Sequence, residues 1–427
     1  MIISPRFWKS IVIGCFCLLA VISGETADKS GLLDYSEYGL MPLPEKLTDY
    51  SRKESNDAVF KLGRRLERGE IRLKYDESYG YLLSVLEQLA IQVSSQILVF
   101  SKSSLQRKHI SPKSPRAIYF NDKVFVGWIP GAPKIELASI DPQRGVVLYT
   151  LKQPKSSPLV KPQFSRNNKC LECHVTSRTL GVPGLVMRSF ATDDKGQIDL
   201  LSGWATINHN TPLAVRWGGW YVSGDIGKQT HHGNIMAETL TDDGEFASGE
   251  NEDRVDLKAA LASQNYPAKT SNVVALMVYG HQLHMQNLIT RLHYESLLDR
   301  PIKDLVTGFL KYLLFIDEIP LDDNIKGDPE FITDFQLRDP RDDRGRSLRE
   351  FDLTSRIFKY PCSYMIYSDA FQSLPRKTKR SVYKRLWLIL VNEDTDPAFQ
   401  ALAEDSKKAI LEILADTAPD LPKYWAP

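Results

Sequence analysis

The pentapeptide Cys170-Leu171-Glu172-Cys173-His174 lies near the middle of a 427-residue chain, with β-patterned segments on both sides. The C-x-x-C-H spacing is that of covalent haem attachment, in which two thiols bond the porphyrin vinyl groups and the adjacent histidine ligates the iron. It predicts one haem c held by Cys170 and Cys173, with His174 as the proximal iron ligand. A redox-active dithiol and half of a zinc site are the other readings. Zinc would want a second Cys or His pair at close spacing, and a thioredoxin-like pair would sit beside a βαβ pattern. Neither is found around these residues.

The N-terminus agrees with a haem attached outside the cytoplasm. Arg6 and Lys9 precede the apolar run Ile11 to Ile22, which gives way to Ser23-Gly24-Glu25. That order predicts a secretory signal over residues 1–24 and a periplasmic or secreted mature chain. The run is short for a transmembrane helix, which needs about 20 apolar residues, so no membrane span is expected after the signal. Val12-Ile13-Gly14-Cys15 weakly resembles a lipoprotein box, but apolar residues continue past Cys15. Without the signal, 52 basic residues face 53 acidic ones, a balance that argues against a nucleic-acid binder. Cys362 is then the one cysteine outside the motif, which leaves no disulfide framework and makes it a small buried residue.

Along the chain, a helix is expected from Ser55 as cap to Arg68, ended by Gly69, and a second from Tyr79 to Ile91. Ile97 to Phe100 reads as a buried strand. Ala117–Phe120 with Val124–Trp128, and Ile135–Ile140 with Val146–Leu151, read as hairpins turned by Asn121-Asp122 and by Asp141 to Gly145. Beyond the motif, Val186–Thr192, Gln197–Leu201 and Arg216–Val222 read as strands. The acidic stretch Thr241–Asp256 reads as a solvated loop without the calcium-binding EF-hand spacing. Helical spacing then dominates near Ser271–Tyr294, Ile302–Phe315, Arg376–Leu390 and Ala398–Leu414. The expectation is an α+β protein with a β-rich haem-bearing region followed by a mainly helical C-terminal part, not the small all-α cytochrome c fold. Its parts are a signal (1–24), N-terminal helices and β hairpins (25–165), a haem region with a long helix (166–300) and a helical C-terminal part (301–427).

The sixth iron position decides reactivity. The candidates are His109, His209, His231, His232, His281, His284, His293, Met187 and Met285. On the long helix, Val274, Met277, Val278, His281, Met285, Leu288 and Leu292 form an apolar stripe, so His281 faces inward and leads as distal ligand. A hydrogen-bonded core histidine is the alternative. His231, in the glycine-containing turn His231-His232-Gly233-Asn234, and His209 are lesser distal candidates. Arg216 opens Arg216-Trp217-Gly218-Gly219-Trp220-Tyr221-Val222. The glycines there permit close approach of a ligand, and Arg216 is the candidate contact to a haem propionate. An aromatic core strand is the other reading. Arg376, Lys377, Lys379, Arg380, Lys384 and Arg385 form a basic helix face that would steer an acidic redox partner, or simply be solvated.

The haem motif, Pro183-Gly184, the Arg216–Val222 segment, His231-x-Gly233-Asn234 and Lys359-Tyr360-Pro361-Cys362-Ser363-Tyr364 together resemble a family of large exported, single-motif cytochrome c-like proteins. The likeness runs from near Ile97 to the C-terminal helices. It implies haem binding and electron transfer, and supplies no substrate. That family pattern has a histidine soon after the tryptophan segment, where this chain has Ile226, which leaves His231 as the matching position. The expected function is an exported monohaem cytochrome in periplasmic electron transfer, as carrier or subunit of a redox complex with a partner protein. A peroxidase-like small-molecule oxidoreductase and a haem-based sensor are the alternatives. Oligomeric state is open at this stage.

Overall fold

The computed structural model describes Tyr50 and residues 54–153, 161–166, 170–236, 257 and 265–425. The expected signal (1–24) and the acidic stretch Thr241–Asp256 lie outside the described residues. Alternating apolar residues build a seven-stranded antiparallel sheet. Its strands are β1 (Ile97–Val99), β2 (Arg116–Phe120), β3 (Val124–Trp128), β4 (Lys134–Asp141), β5 (Gly145–Lys152), β6 (Phe164–Arg166) and, at the far edge, β9 (Trp220–Tyr221). The order β6-β5-β4-β3-β2-β1-β9 is close to sequence order because tight turns join neighbours. Asn121 Oδ1 accepts from the amides of Lys123 and Val124, and Asp141 Oδ1 from those of Gln143 and Arg144. Gly145 adopts φ +79° at the mouth of the second turn. A separate hairpin, β7 (Arg188–Thr192) with β8 (Ile198–Thr206), follows the C-x-x-C-H motif.

Both sheet faces are covered. Leu98, Tyr119, Val126 and Leu137 point to α1 (Ala58–Glu67) and α2 (Leu82–Gln88). Val99, Ile118, Phe120, Phe125 and Ala138 point to α4 (Val273–Leu297). The cap of α1 is Asp57, not Ser55: its carboxylate accepts from Val59 N (2.9 Å) and Phe60 N (3.0 Å), while the Ser55 hydroxyl donates to Asp57 and Asp141. α2 is shorter than its sequence pattern suggests.

Every residue of α4 from Val273 to Glu295 is buried. The apolar stripe predicted one covered face. The helix is covered all round, because the sheet takes one side and the C-terminal helices the other. Those are α5 (Lys303–Leu313), α6 (Pro329–Gln336), α7 (Asp369–Gln372), α8 (Arg376–Leu390) and α9 (Glu404–Thr417). α6 and α7 have no counterpart in the sequence reading, and α9 starts later than expected. The polar residues of α4 find partners: Gln282 donates to Asn121 O and accepts from the Tyr364 hydroxyl. One apolar cluster runs from Ile97 to Trp425, joining the β region to the helical part. The architecture is therefore α+β with a mainly helical C-terminal part, and is not the small all-helical cytochrome fold. Among the described residues no helix is long and apolar enough to cross a membrane.

The segment Arg216–Val222 is a strand only at Trp220–Tyr221. Trp217 (φ +72°) and Gly219 (φ +80°) turn the chain left-handed. A Cβ on Gly218 would lie 2.6 Å from Phe190 O, so close backbone approach overrides the β-propensity of the aromatics. The basic face of α8 is partly used internally. Lys379 pairs with Asp420, Arg385 with Asp394 and Asp396, and Lys384 lies over Trp387.

Candidate haem-attachment site

The motif forms a single helical turn, α3 (Leu171–His174), closed by Val175 N donating to Leu171 O. Cys170, Cys173 and His174 stand at i, i+3 and i+4, which puts all three on one side of the turn. Cys173 is exposed and Cys170 half-buried, and both thiols are free. His174 Nδ1 lies 3.1 Å from Gly184 O. A carbonyl only accepts, so Nδ1 carries the proton and Nε2 keeps its lone pair. Gly184 N returns a bond to His174 O at 2.9 Å, which locks the pair. Burial pushes the imidazole below its ordinary pKa and keeps it neutral, the state that ligates a metal. Burial, then Glu136, pushes the Cys170 thiol up. Redox-active C-x-x-C thiols have lowered values, so this environment disfavours a dithiol switch.

The segment after α3 is built to hold Gly184. Thr176 and Thr179 form a reciprocal capping box, and Leu180 (φ +57°) and Gly181 (φ +69°) turn the chain back. Arg291 on α4 donates to Leu180 O, Asn287 donates to Leu185 O, and Val146 N donates to Pro183 O. A Cβ on Gly184 would fall 2.2 Å from Asn287 Oδ1 and 3.0 Å from Thr179 Cβ. Gly184→Ala is therefore expected to cost about 1–3 kcal/mol by overpacking, read as a lower urea midpoint. An unchanged midpoint would mean that the loop slips off α4 freely.

Two charged residues of the sheet act on His174. Arg116 and Glu136 pair at 3.2 Å beside Gly127, and Ser104 and Gln106 also donate to Glu136. The β7–β8 hairpin supplies a third charge, Arg188. The Arg188 guanidinium lies 4.7 Å from the Phe190 ring and that of Arg178 4.0 Å from the Trp204 ring. Phe190 and Trp204 are direct cross-strand partners. Arg116, Glu136 and Arg188 are the charges that act on His174, while Arg178 and Cys173 act on Arg188. Sequence reading missed all four of these charged groups. The charged Glu136 between Ile135 and Leu137 was visible, but its meeting with the motif depends on sheet register.

The histidines proposed for the sixth position gather elsewhere. His281 is inward as expected, yet both ring nitrogens are engaged: Nδ1 lies 2.8 Å from His209 Nδ1 and Nε2 2.7 Å from Ser363 Oγ. No lone pair of His281 is left for iron, and it is a core histidine. His209 stacks on Tyr312 at 3.9 Å, and His284 meets the same ring at 4.5 Å. These histidines act on one another, not on His174. His231 Nδ1 accepts from Gly233 N, with its ring against Trp217. Met187 packs its sulfur against Gly280 on α4.

Arg216 is also displaced from its expected role. Its Nε donates to Thr211 O (2.7 Å) and its Nη2 to His209 O (3.1 Å). Burial pulls its pKa down to about 10, opposed by Glu318. The left-handed turn at Trp217 places it with the His209 group, so it is no propionate contact. Cys362 is fully buried, as expected. Among the described residues no three His, Cys, Asp or Glu side chains are gathered to hold a metal ion, where a structural zinc site would need four ligands. No family model, curated protein or solved structure matches the chain.

Proposed function

We propose that this chain is an exported c-type haem protein of periplasmic electron transfer, working as a carrier or as the haem subunit of a redox complex. Cys170 and Cys173 would hold one haem by thioether bonds, and His174 Nε2 would ligate its iron. The observation that carries the reading is the bond from His174 Nδ1 to Gly184 O. A second-shell carbonyl of this kind fixes ring orientation and tautomer and raises the basicity of the ligating nitrogen. The bound group would supply a one-electron iron couple. The chain contributes the fixed imidazole, the two thiols on the same side of one turn, and the Arg116–Glu136 pair that acts on the imidazole. The N-terminal signal pattern supports export, and the near-neutral charge balance fits a protein partner better than nucleic acid.

A second reading, an enzyme or sensor with an open or displaceable sixth position, is favoured by one observation. His281 and His209 face each other across 2.8 Å and are occupied. The visible spectrum of the purified holoprotein separates the two. A reduced spectrum indifferent to carbon monoxide supports the carrier, whereas a high-spin form that binds it supports the second reading. His281→Ala is expected to leave the spin state as in the parent chain. Conversion from low to high spin by that substitution would make His281 the distal ligand after all.

A further inference from the structure

We infer that one face of α8 is a docking surface for an anionic lipid bilayer, whether or not the chain carries haem. Lys377, Arg380, Lys384 and Trp387 follow one another at spacings of three and four along the helix, so they share a face, with Arg376 beside them. Arg376, Lys377, Arg380 and Lys384 are exposed, while Val382, Leu386 and Ile389 on the opposite side are buried. Among the described residues Arg376, Lys377 and Arg380 have no carboxylate or hydrogen-bond partner. Cations off this face do: Lys379 pairs with Asp420, and Arg385 with Asp394 and Asp396. The row is unfavourable for the chain by itself. Like charges three and four apart on a helix repel. The first turn of a helix favours acids, and this one carries none. An anionic surface relieves both. The aromatic end of the row favours a bilayer over an acidic protein. The Lys384 ammonium lies 4.5 Å from the centre of the Trp387 ring and 5.0 Å from that of Tyr424, and the two rings meet edge to face at 5.4 Å. Tyr424 is 39 % exposed. Trp and Tyr, with an apolar body and a polar edge, suit the boundary between headgroups and acyl chains. Lysine lays its stem along apolar surface and carries its charge out to the phosphates.

The test is cosedimentation of the purified protein with vesicles of phosphatidylglycerol mixed into phosphatidylcholine, against vesicles of phosphatidylcholine alone. Binding is expected to be at least about tenfold tighter to the anionic vesicles and to weaken as salt rises. Each cation held near such a surface contributes a factor of about five. Lys377→Gln with Arg380→Gln and Lys384→Gln is therefore expected to lower the affinity about a hundredfold. Arg380→Gln with Lys384→Gln serves if the triple variant does not fold. Removing the same charge at exposed sites elsewhere, by Lys61→Gln with Lys108→Gln and Lys195→Gln, is expected to leave the affinity near that of the parent. The apolar run Ile11 to Ile22, where retained, acts on both kinds of vesicle and cancels in the comparison. Equal binding to the two kinds of vesicle overturns the proposal. So does a helix variant that binds as the parent does, or a control variant that falls as far as the helix variant. Tighter binding to polyglutamate than to phosphatidylglycerol at equal charge also overturns it, and would assign the face to an acidic protein.

Discussion

Cys170→Ser combined with Cys173→Ser, expressed beside a working haem-maturation system, is expected to give a mature chain with the mass of polypeptide alone. The unsubstituted chain is expected to be heavier by one haem. The effect should be all or none, because each hydroxyl replaces the only atom at its position able to form the thioether. One helical turn carries both thiols and the imidazole on the same side, so losing both sulfurs leaves only the His174 contact, which dissociates under denaturing conditions. Cys173→Ser alone should retain one thioether through Cys170 and therefore keep the added mass with an altered spectrum. Cys362→Ala should keep the haem entirely, since that thiol is fully buried in the apolar cluster shared by α4 and the C-terminal helices. Haem mass on the double serine variant would show that attachment does not run through these sulfurs.

What could be read in advance was local. Asn121 and Asp141 bond amides two and three residues on, so the hairpins they turn are written in adjacent residues. The C-x-x-C-H motif is equally local: five consecutive residues fix both the spacing and the face. The bounds of α4 followed from its pattern, but its surroundings did not. A stripe of apolar residues reports one covered side, and only the tertiary arrangement shows that Gln282 and Asn287 on the other side are covered too and bonded.

The failures share one cause, partners remote in sequence. The inward direction of His281 was legible. Its partners were not, since His209 and Ser363 lie 72 and 82 positions away. Arg216 looked available because its segment read as a strand. The chain instead turns at Trp217, since Phe190 O leaves no room for a side chain at Gly218, and the arginine is carried to Thr211 and His209. Conversely, Arg116 and Glu136 reach the motif only through the pairing of β2, β3 and β4. No periodicity announces that register. The carbonyl of Gly184 was the nearest miss. Pro183-Gly184 stood out as a pattern, but a backbone oxygen has no signature in side-chain letters.

Stability is expected to fall steeply as pH drops from about 6.5 toward 4.5, before the carboxylates with lowered values contribute and against a smaller opposite contribution from Glu318, whose carboxyl burial pushes up. The cause is the buried histidine group. Burial, with His284 as neighbour, pushes His281 down to about 3, burial alone pushes His284 to about 3, and His293 goes to about 4 by burial against the opposing pull of Asp141. In the unfolded chain each binds a proton near the ordinary value of about 6.5. Between those limits the unfolded state holds more protons, so folding stability falls with falling pH, by up to about 1.4 kcal/mol per pH unit for each histidine. Two units below about 6.5, His281 and His284 together account for roughly 5 kcal/mol, comparable with the whole stability of many domains. Asp122 and Asp141 have lowered values and lose their contribution only below about 3.8. They therefore steepen the acid limb without starting it. Urea midpoints measured at successive pH values between about 7 and 5 test this, with the holoprotein used throughout. His284→Phe, which keeps an aromatic ring beside Tyr312, should reduce the slope by about one histidine's share. Midpoints that stay level across that interval would mean that the His281 and His284 rings take up protons within the folded chain, and that the core around Tyr312 admits water.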